Sequence, residues 1–149
     1  MPKVFRETMK GKKSIGEMTD EEVQWCADHI DLHGGIHANK STLLPEIGIT
    51  DERAEELSTT YGGTLTRREK GKPTWELTQV FCTSPFLELI EPHLRIRCRQ
   101  AGIGLELIRL DKYKEKAGKD WKKKARELVR SMGIANAEMK LEKARARKV

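Results

Sequence analysis

The chain has 149 residues, 37% of them hydrophobic and 35% charged, and a net charge of +6. That apolar content suits one domain-sized core with basic extensions, and no apolar run approaches the roughly 18 residues of a membrane helix. MPKVFRETMKGKK lacks the apolar stretch of a secretory leader. Three cysteines without C-x-x-C spacing argue against a disulfide framework and against a cysteine zinc site, so a soluble protein of a reducing, cytoplasmic compartment is expected.

Charge divides the chain. Residues 92–149 carry 18 Lys and Arg against 7 Asp and Glu, net +11, whereas residues 1–91 carry 11 against 16, net −5. A polyanionic partner suits the basic part, although a solvated lysine-rich helix has the same composition. The expected organisation is a basic N-terminal arm over 1–18, a folded domain over 19–116 and a basic helical extension over 117–149.

Thr19-Asp20-Glu21-Glu22 is a capping box, and Val23, Cys26, Ala27 and Ile30 recur at helical spacing, predicting a helix from Asp20 to Leu32 that Gly34 and Gly35 stop. IHANKSTLLPEIGIT reads as two short strands around a polar turn at Asn39 to Thr42. Thr50 is expected to cap a second helix over Asp51 to Tyr61, ended by Gly62-Gly63. TLTRREKGKPTWELTQV is a hairpin with EKGK in its turn, and Thr64, Thr66, Arg68, Thr74, Glu76 and Thr78 alternate with Leu65, Trp75 and Leu77 to give one polar and one apolar face. Ser84-Pro85 is expected to open a third helix and Pro92 a fourth carrying Leu94, Cys98, Ala101, Leu105 and Ile108. AGKDWKKKARELVRSMG predicts a short basic helix with Trp121, Leu128 and Val129 as its apolar stripe, after which the last residues fray or become helical on binding.

The stretch CADHIDLHGGI, Cys26 to Ile36, stands out because an apolar helix ends there among two aspartates and two histidines. It resembles the signature of the LAGLIDADG homing endonucleases, with Ala27, Ile30, Asp31, Gly34 and Ile36 on matching positions. The resemblance continues beyond the motif: LSTTYGGTLTRR is similar to the family's helix end and third strand, PTWELTQV to its fourth, and FLELIEPHLRIRCRQAGIGLEL to its closing segment. It implies an α+β fold of order α-β-β-α-β-β-α, with a saddle-shaped antiparallel sheet whose polar face lies in the DNA major groove, here carrying a basic C-terminal helical extension.

The departures from the family bear on chemistry. The resemblance implies that the motif's last acid, which in the family holds a divalent metal, is His33 here; Mg²⁺ demands hard oxygen ligands, and a neutral imidazole brings no charge to hold it. Asp31 keeps the earlier acid but points elsewhere on the helix. Gly48 stands where the second strand often carries a polar residue, and Arg97 matches the closing segment's basic position. Asp28 and Leu32 occupy the small positions through which paired motif helices usually touch. No cofactor is expected, with Mg²⁺ required only if the chain cuts DNA. The histidines offer an i,i+4 pair, His29 and His33, that zinc can use; because the helix should end at Leu32 or His33, His37 falls on a strand and no metal site is expected.

The resulting expectation is a domesticated homing endonuclease, not an enzyme: a sequence-specific double-stranded DNA-binding protein acting as a transcriptional repressor, of mobile-element or phage origin. The alternatives are an active divalent-metal endonuclease and an RNA-binding intron-splicing maturase. One motif copy implies a homodimer paired through Ala27, Asp28, Ile30 and Asp31 over a pseudo-palindromic site. Thr64, Thr66, Arg68, Thr74, Glu76 and Thr78 are candidates for base readout. Asn39, Lys40, Lys70 and Lys72 lie in turns that can reach phosphate or outer bases, and Arg97, Lys119, Lys122, Lys123 and Lys124 would supply phosphate attraction independent of sequence.

Overall fold

A computed structural model describes residues 4–118 and 120–147. In chain order the elements are β1 (Val4–Met9), α1 (Asp20–His33), β2 (Ile36–Ala38), β3 (Pro45–Thr50), α2 (Ala54–Tyr61), β4 (Gly63–Arg68), β5 (Thr74–Leu77), α3 (Val80–Ile90), α4 (Cys98–Lys112), α5 (Lys114–Ala117) and α6 (Asp120–Arg147). The strands form one antiparallel sheet of order β1-β4-β5-β3-β2. The expected α+β class and the helix-strand-strand alternation are both present.

Strand period decides which side is covered. Ile36, Ile47, Ile49, Leu65, Trp75 and Leu77 all turn to one face and are at most 2% exposed, packed with Val23, Cys26, Ala27, Ile30, Leu57, Phe86, Leu87, Ile90 and Ala101 from the helices. The Trp75 ring meets Phe86 edge-on at 5.7 Å, and its Nε1–H donates to the Gly62 carbonyl at 2.7 Å, so the one polar atom of a fully buried indole is satisfied.

α1 begins as its capping box dictates: Thr19 Oγ1 accepts from the Glu22 N–H at 3.1 Å and Glu22 Oε1 accepts from the Thr19 N–H at 2.9 Å. The turn between β2 and β3 is held by Asn39, whose Oδ1 accepts from the N–H groups of Ser41 and Thr42.

Five sequence expectations are corrected. The N-terminal stretch is not simply an arm, because Val4–Met9 pairs with β4 as an edge strand. Thr50 closes β3 and hydrogen-bonds Thr74 across the sheet, while Asp51 accepts from the Arg53 N–H and α2 starts at Ala54. α3 begins at Val80, with Pro85 inside it. Pro92 lies in a single 3-10 turn over Glu91–His93, and the fourth long helix starts at Cys98, leaving Leu94 buried in the connection. Finally, the basic extension is one helix of 28 residues through KLEKARAR. It packs on α4: Ala125 joins Leu43 and Leu107 in a small apolar cluster, and Met132 reaches the main core. Ordering therefore comes from burial of that stripe, which outweighs the helix-weakening Gly133.

Candidate nucleic-acid interface and the end of the motif helix

Cross-strand partners share a face, so the register defines the uncovered side of the sheet. One row runs Thr8, Thr64, Glu76 and Gly48; the next runs Arg6, Thr66, Thr74 and Thr50; Arg68 with Val4 and His37 with Glu46 extend the surface at its two ends. Thr64, Thr66, Arg68, Thr74 and Glu76 thus lie on a common face, as their alternation predicts. Thr78 is exposed but falls one residue beyond β5. Lys70 and Lys72 are exposed in the β4–β5 turn, and Lys40 is exposed beside β2.

Thr66 and Asn39 among these candidates are already committed to the fold, and Thr74 shares a hydroxyl–hydroxyl hydrogen bond with Thr50 at 2.7 Å. Thr66 is 2% exposed and donates its hydroxyl to Glu76 Oε1 at 2.8 Å, so it orients the glutamate rather than offering itself to a base. Asn39 spends its oxygen on the turn and its Nδ2 donates to Glu46 Oε2 at 3.3 Å. Sequence reasoning missed Arg6, Thr8, His37, Glu46 and Thr50 on the same face. Their signal lies in the β-branched and aromatic content of VFRETM and in the alternation of IHA and PEIGIT.

The dimer set divides along α1. Ala27 and Ile30 are 0% exposed and Asp31 is 7% exposed within the single chain, so these three face its own core. Asp28 is exposed and accepts from Gln24 Nε2 at 2.9 Å, and Leu32, one turn further on, is 61% exposed. A partner helix on this side would meet Asp28 and Leu32; the correction follows from the period of 3.6, which puts 27, 30 and 31 on one stripe and 28 and 32 on another.

Asp31 has a defined task. Its Oδ2 accepts from the Arg95 N–H at 2.8 Å and its Oδ1 from the N–H groups of Ile96 and Arg97 at 3.0 Å each, stapling the connection before α4 to the end of α1. His29 is half-buried between Trp25 and His33, with ring centroids 5.3 and 4.7 Å away, and its Nε2 lies 3.2 Å from the Thr50 carbonyl. Burial, reinforced by the neighbouring His33, holds its pKa below the ordinary histidine value.

His33 itself is exposed at the last position of α1. It opens onto a cleft that His37, Arg97, Lys140 and Lys143 also line. Arg97 is 6% exposed with its Nε lacking a hydrogen-bond partner, and burial pulls its pKa below the usual guanidinium value against the opposing charge of Asp31. α6 closes the cleft. Asn136 Nδ2 donates to the Ile36 carbonyl at 3.0 Å, and the Lys143 ammonium donates to the carbonyl of Leu32 at the negative end of α1. Lys122, Lys123 and Lys124 are exposed at the other end of α6, and Lys119 lies outside the described residues.

With this geometry established, comparison with solved structures finds the homing endonuclease I-CvuI, crystallised in complex with its target in the presence of Ca, at a TM-score of 0.59. The fold is homing-endonuclease-like. The two chains are 16% identical, over 77% of this chain and 82% of the other. No protein-family model matches the chain, and no curated protein matches it. The comparison overturns the expectation that the chain is not an enzyme: the protein with which it shares a fold is an endonuclease.

The end of α1 does not fit the divalent metal that the family resemblance implies there. Both oxygens of Asp31 are taken by backbone N–H groups, position 33 is an imidazole, and the other polar side chains lining the cleft among the described residues are a guanidinium, two ammonium groups, a second imidazole and an amide. A hard dication needs anionic oxygen; these side chains offer none, and the three cationic ones repel it. No chemical step is therefore derived through a metal at this position.

Proposed function

We propose that the chain binds a specific double-stranded DNA site through the uncovered face of its sheet, as a homodimer over a pseudo-palindrome. The observation that carries this reading is the register of that face: Arg6, Thr8, Thr50, Thr64, Arg68, Thr74 and Glu76 lie in rows across four strands, a pattern of donors, acceptors and methyl groups suited to base edges, with Lys70 and Lys72 at its rim. The net +11 of residues 92–149 adds attraction to the phosphates. Support from outside the chain is the fold shared with a protein solved on its DNA target. Occupancy of such a site obstructs a transcribing polymerase, so we propose repression as the biological use.

Selection of bound duplexes from a random pool tests the reading. A single half-site motif repeated about a two-fold axis is the expected result, and Arg68→Ala should relax preference at one base pair by about 1–3 kcal/mol. Equal enrichment of all sequences, or an Arg68→Ala protein with unchanged preference throughout, overturns it. The selected duplex, incubated with Mg²⁺ and Mn²⁺, measures cleavage directly, and placed downstream of a promoter it measures repression.

A further inference from the structure

The cleft at the end of α1 has a volume of about 360 Å³ and is lined by side chains from four parts of the chain: His33 of α1, His37 of β2, Arg97 before α4, and Lys140 and Lys143 of α6. Among the described residues no carboxylate lines it. Glu46, the acid nearest in the hydrogen-bond network, is held by His37 Nε2 at 3.1 Å and by Asn39, and Asp31 is spent on three backbone N–H groups.

Three permanent cations around one cleft repel one another, and a buried guanidinium whose Nε has no acceptor carries a desolvation cost that nothing among the described residues offsets with a hydrogen bond. An anion with several acceptor oxygens removes both penalties. A phosphate group supplies them in the tetrahedral arrangement that ammonium and guanidinium groups bind best.

We propose that this cleft is a phosphate-oxyanion site in which Arg97, Lys140 and Lys143 provide the positive charge that a divalent metal would otherwise bring. Lys143 is the tethered cation: its ammonium sits on the Leu32 carbonyl at the negative end of the helix, where a free cation would be attracted. The long basic helix α6, docked through Asn136, delivers it. His33, in the position of the family acid, is then a further donor to the anion. The cleft joins the uncovered face of the sheet through His37, so a DNA backbone phosphate is one source of the group and a free phosphate compound is another; only the first source rests on the duplex reading above.

The chain has four histidines, which makes their carbon-bound ring protons a direct readout. The full chain in EDTA is titrated by NMR with inorganic phosphate and, separately, with a short duplex of mixed sequence. Both probes should shift His33 and His37 and leave His93 in place. Lys140→Ala with Lys143→Ala should abolish those shifts, weaken duplex binding about tenfold and lower the slope of log affinity against log salt by about two. Lys140→Glu, an exposed change that leaves the α1 contact intact, should give the same direction if the double variant folds poorly. In a separate sample freed of EDTA, added Mn²⁺ should not broaden His33 ahead of His93. Silence of His33 and His37 toward both probes, unaltered binding by the variants, or selective broadening by Mn²⁺ overturns the proposal. If the duplex shifts the threonine methyls of the sheet while the cleft stays silent, this proposal fails and the duplex reading stands. If phosphate shifts the cleft while the duplex shifts neither surface, the duplex reading fails and the cleft serves a free phosphate compound.

Discussion

Replacing Asp31 tests what the buried carboxylate near the end of α1 is for. The carboxylate accepts three backbone N–H groups over two oxygens, at 2.8, 3.0 and 3.0 Å, and lies against a buried arginine. A hydrogen bond to a charged group contributes about 1.5–3 kcal/mol, so three would nominally reach roughly 5–9 kcal/mol. Arg95 and Ile96 are exposed, however, and their N–H groups can turn partly to water, whereas the Arg97 N–H is buried and Arg97 would lose its counter-charge. Asp31→Ala is therefore expected to cost about 3–5 kcal/mol, a large share of the roughly 5–15 kcal/mol of a domain this size. Asp31→Asn keeps one acceptor oxygen but sets an amide N–H against the Arg95 N–H, so it should fall between the two. Urea unfolding of the three proteins measures the ranking, and amide exchange at 95–97 should speed up before the core opens. An Asp31→Ala protein within about 1 kcal/mol of the parent would refute the staple and return the carboxylate to the list of free acids.

Two further outcomes follow from the same region. Burial, with His33 second, depresses the His29 pKa, so the unfolded chain binds that proton more readily; its contribution to stability is complete above the unfolded value of about 6.5 and is lost as pH falls through that value toward the folded one. His29→Gln should flatten the fall in urea midpoint from pH 7 toward pH 5.5, and equal losses in both proteins would dispose of the argument. At Gly35, φ is +126° and an added Cβ would lie 2.2 Å from the Gly48 carbonyl oxygen, so Gly35→Ala should destabilise by about 3 kcal/mol or more through strain and forced displacement of β3. Gly71→Ala, with φ +104° but open space around it, is the control for strain alone, and similar costs for the two would mean the close approach is not tight.

Much of the scaffold was legible because its signals are local. The capping box at Thr19, the glycine stops after α1 and α2, and the alternation across EKGK each act within one turn or one hairpin, so α1, β4, β5 and the shared polar face emerge from the chain alone. The cleft did not. His33, Arg97 and Lys143 are far apart in sequence, and nothing near Lys143 marks it as the residue that reaches the carbonyl of Leu32. The tail KLEKARAR has a weak apolar stripe, too sparse to order a helix unaided, and it becomes one because α4 offers Leu107 and its neighbours as a surface to cover. Thr66 illustrates the same limit on a smaller scale: alternation places it on the polar face, but only the Glu76 carboxylate beside it decides that its hydroxyl is already used.

The sequence by itself determined α1, the β4–β5 hairpin and which face of the sheet is polar, since capping and periodicity need no partner to be read. Tertiary structure alone decided that Asp31 is a staple and that α6 brings ammonium groups to the end of α1. Those are properties of distance between segments remote in the chain, and they are fixed by packing rather than by local preference.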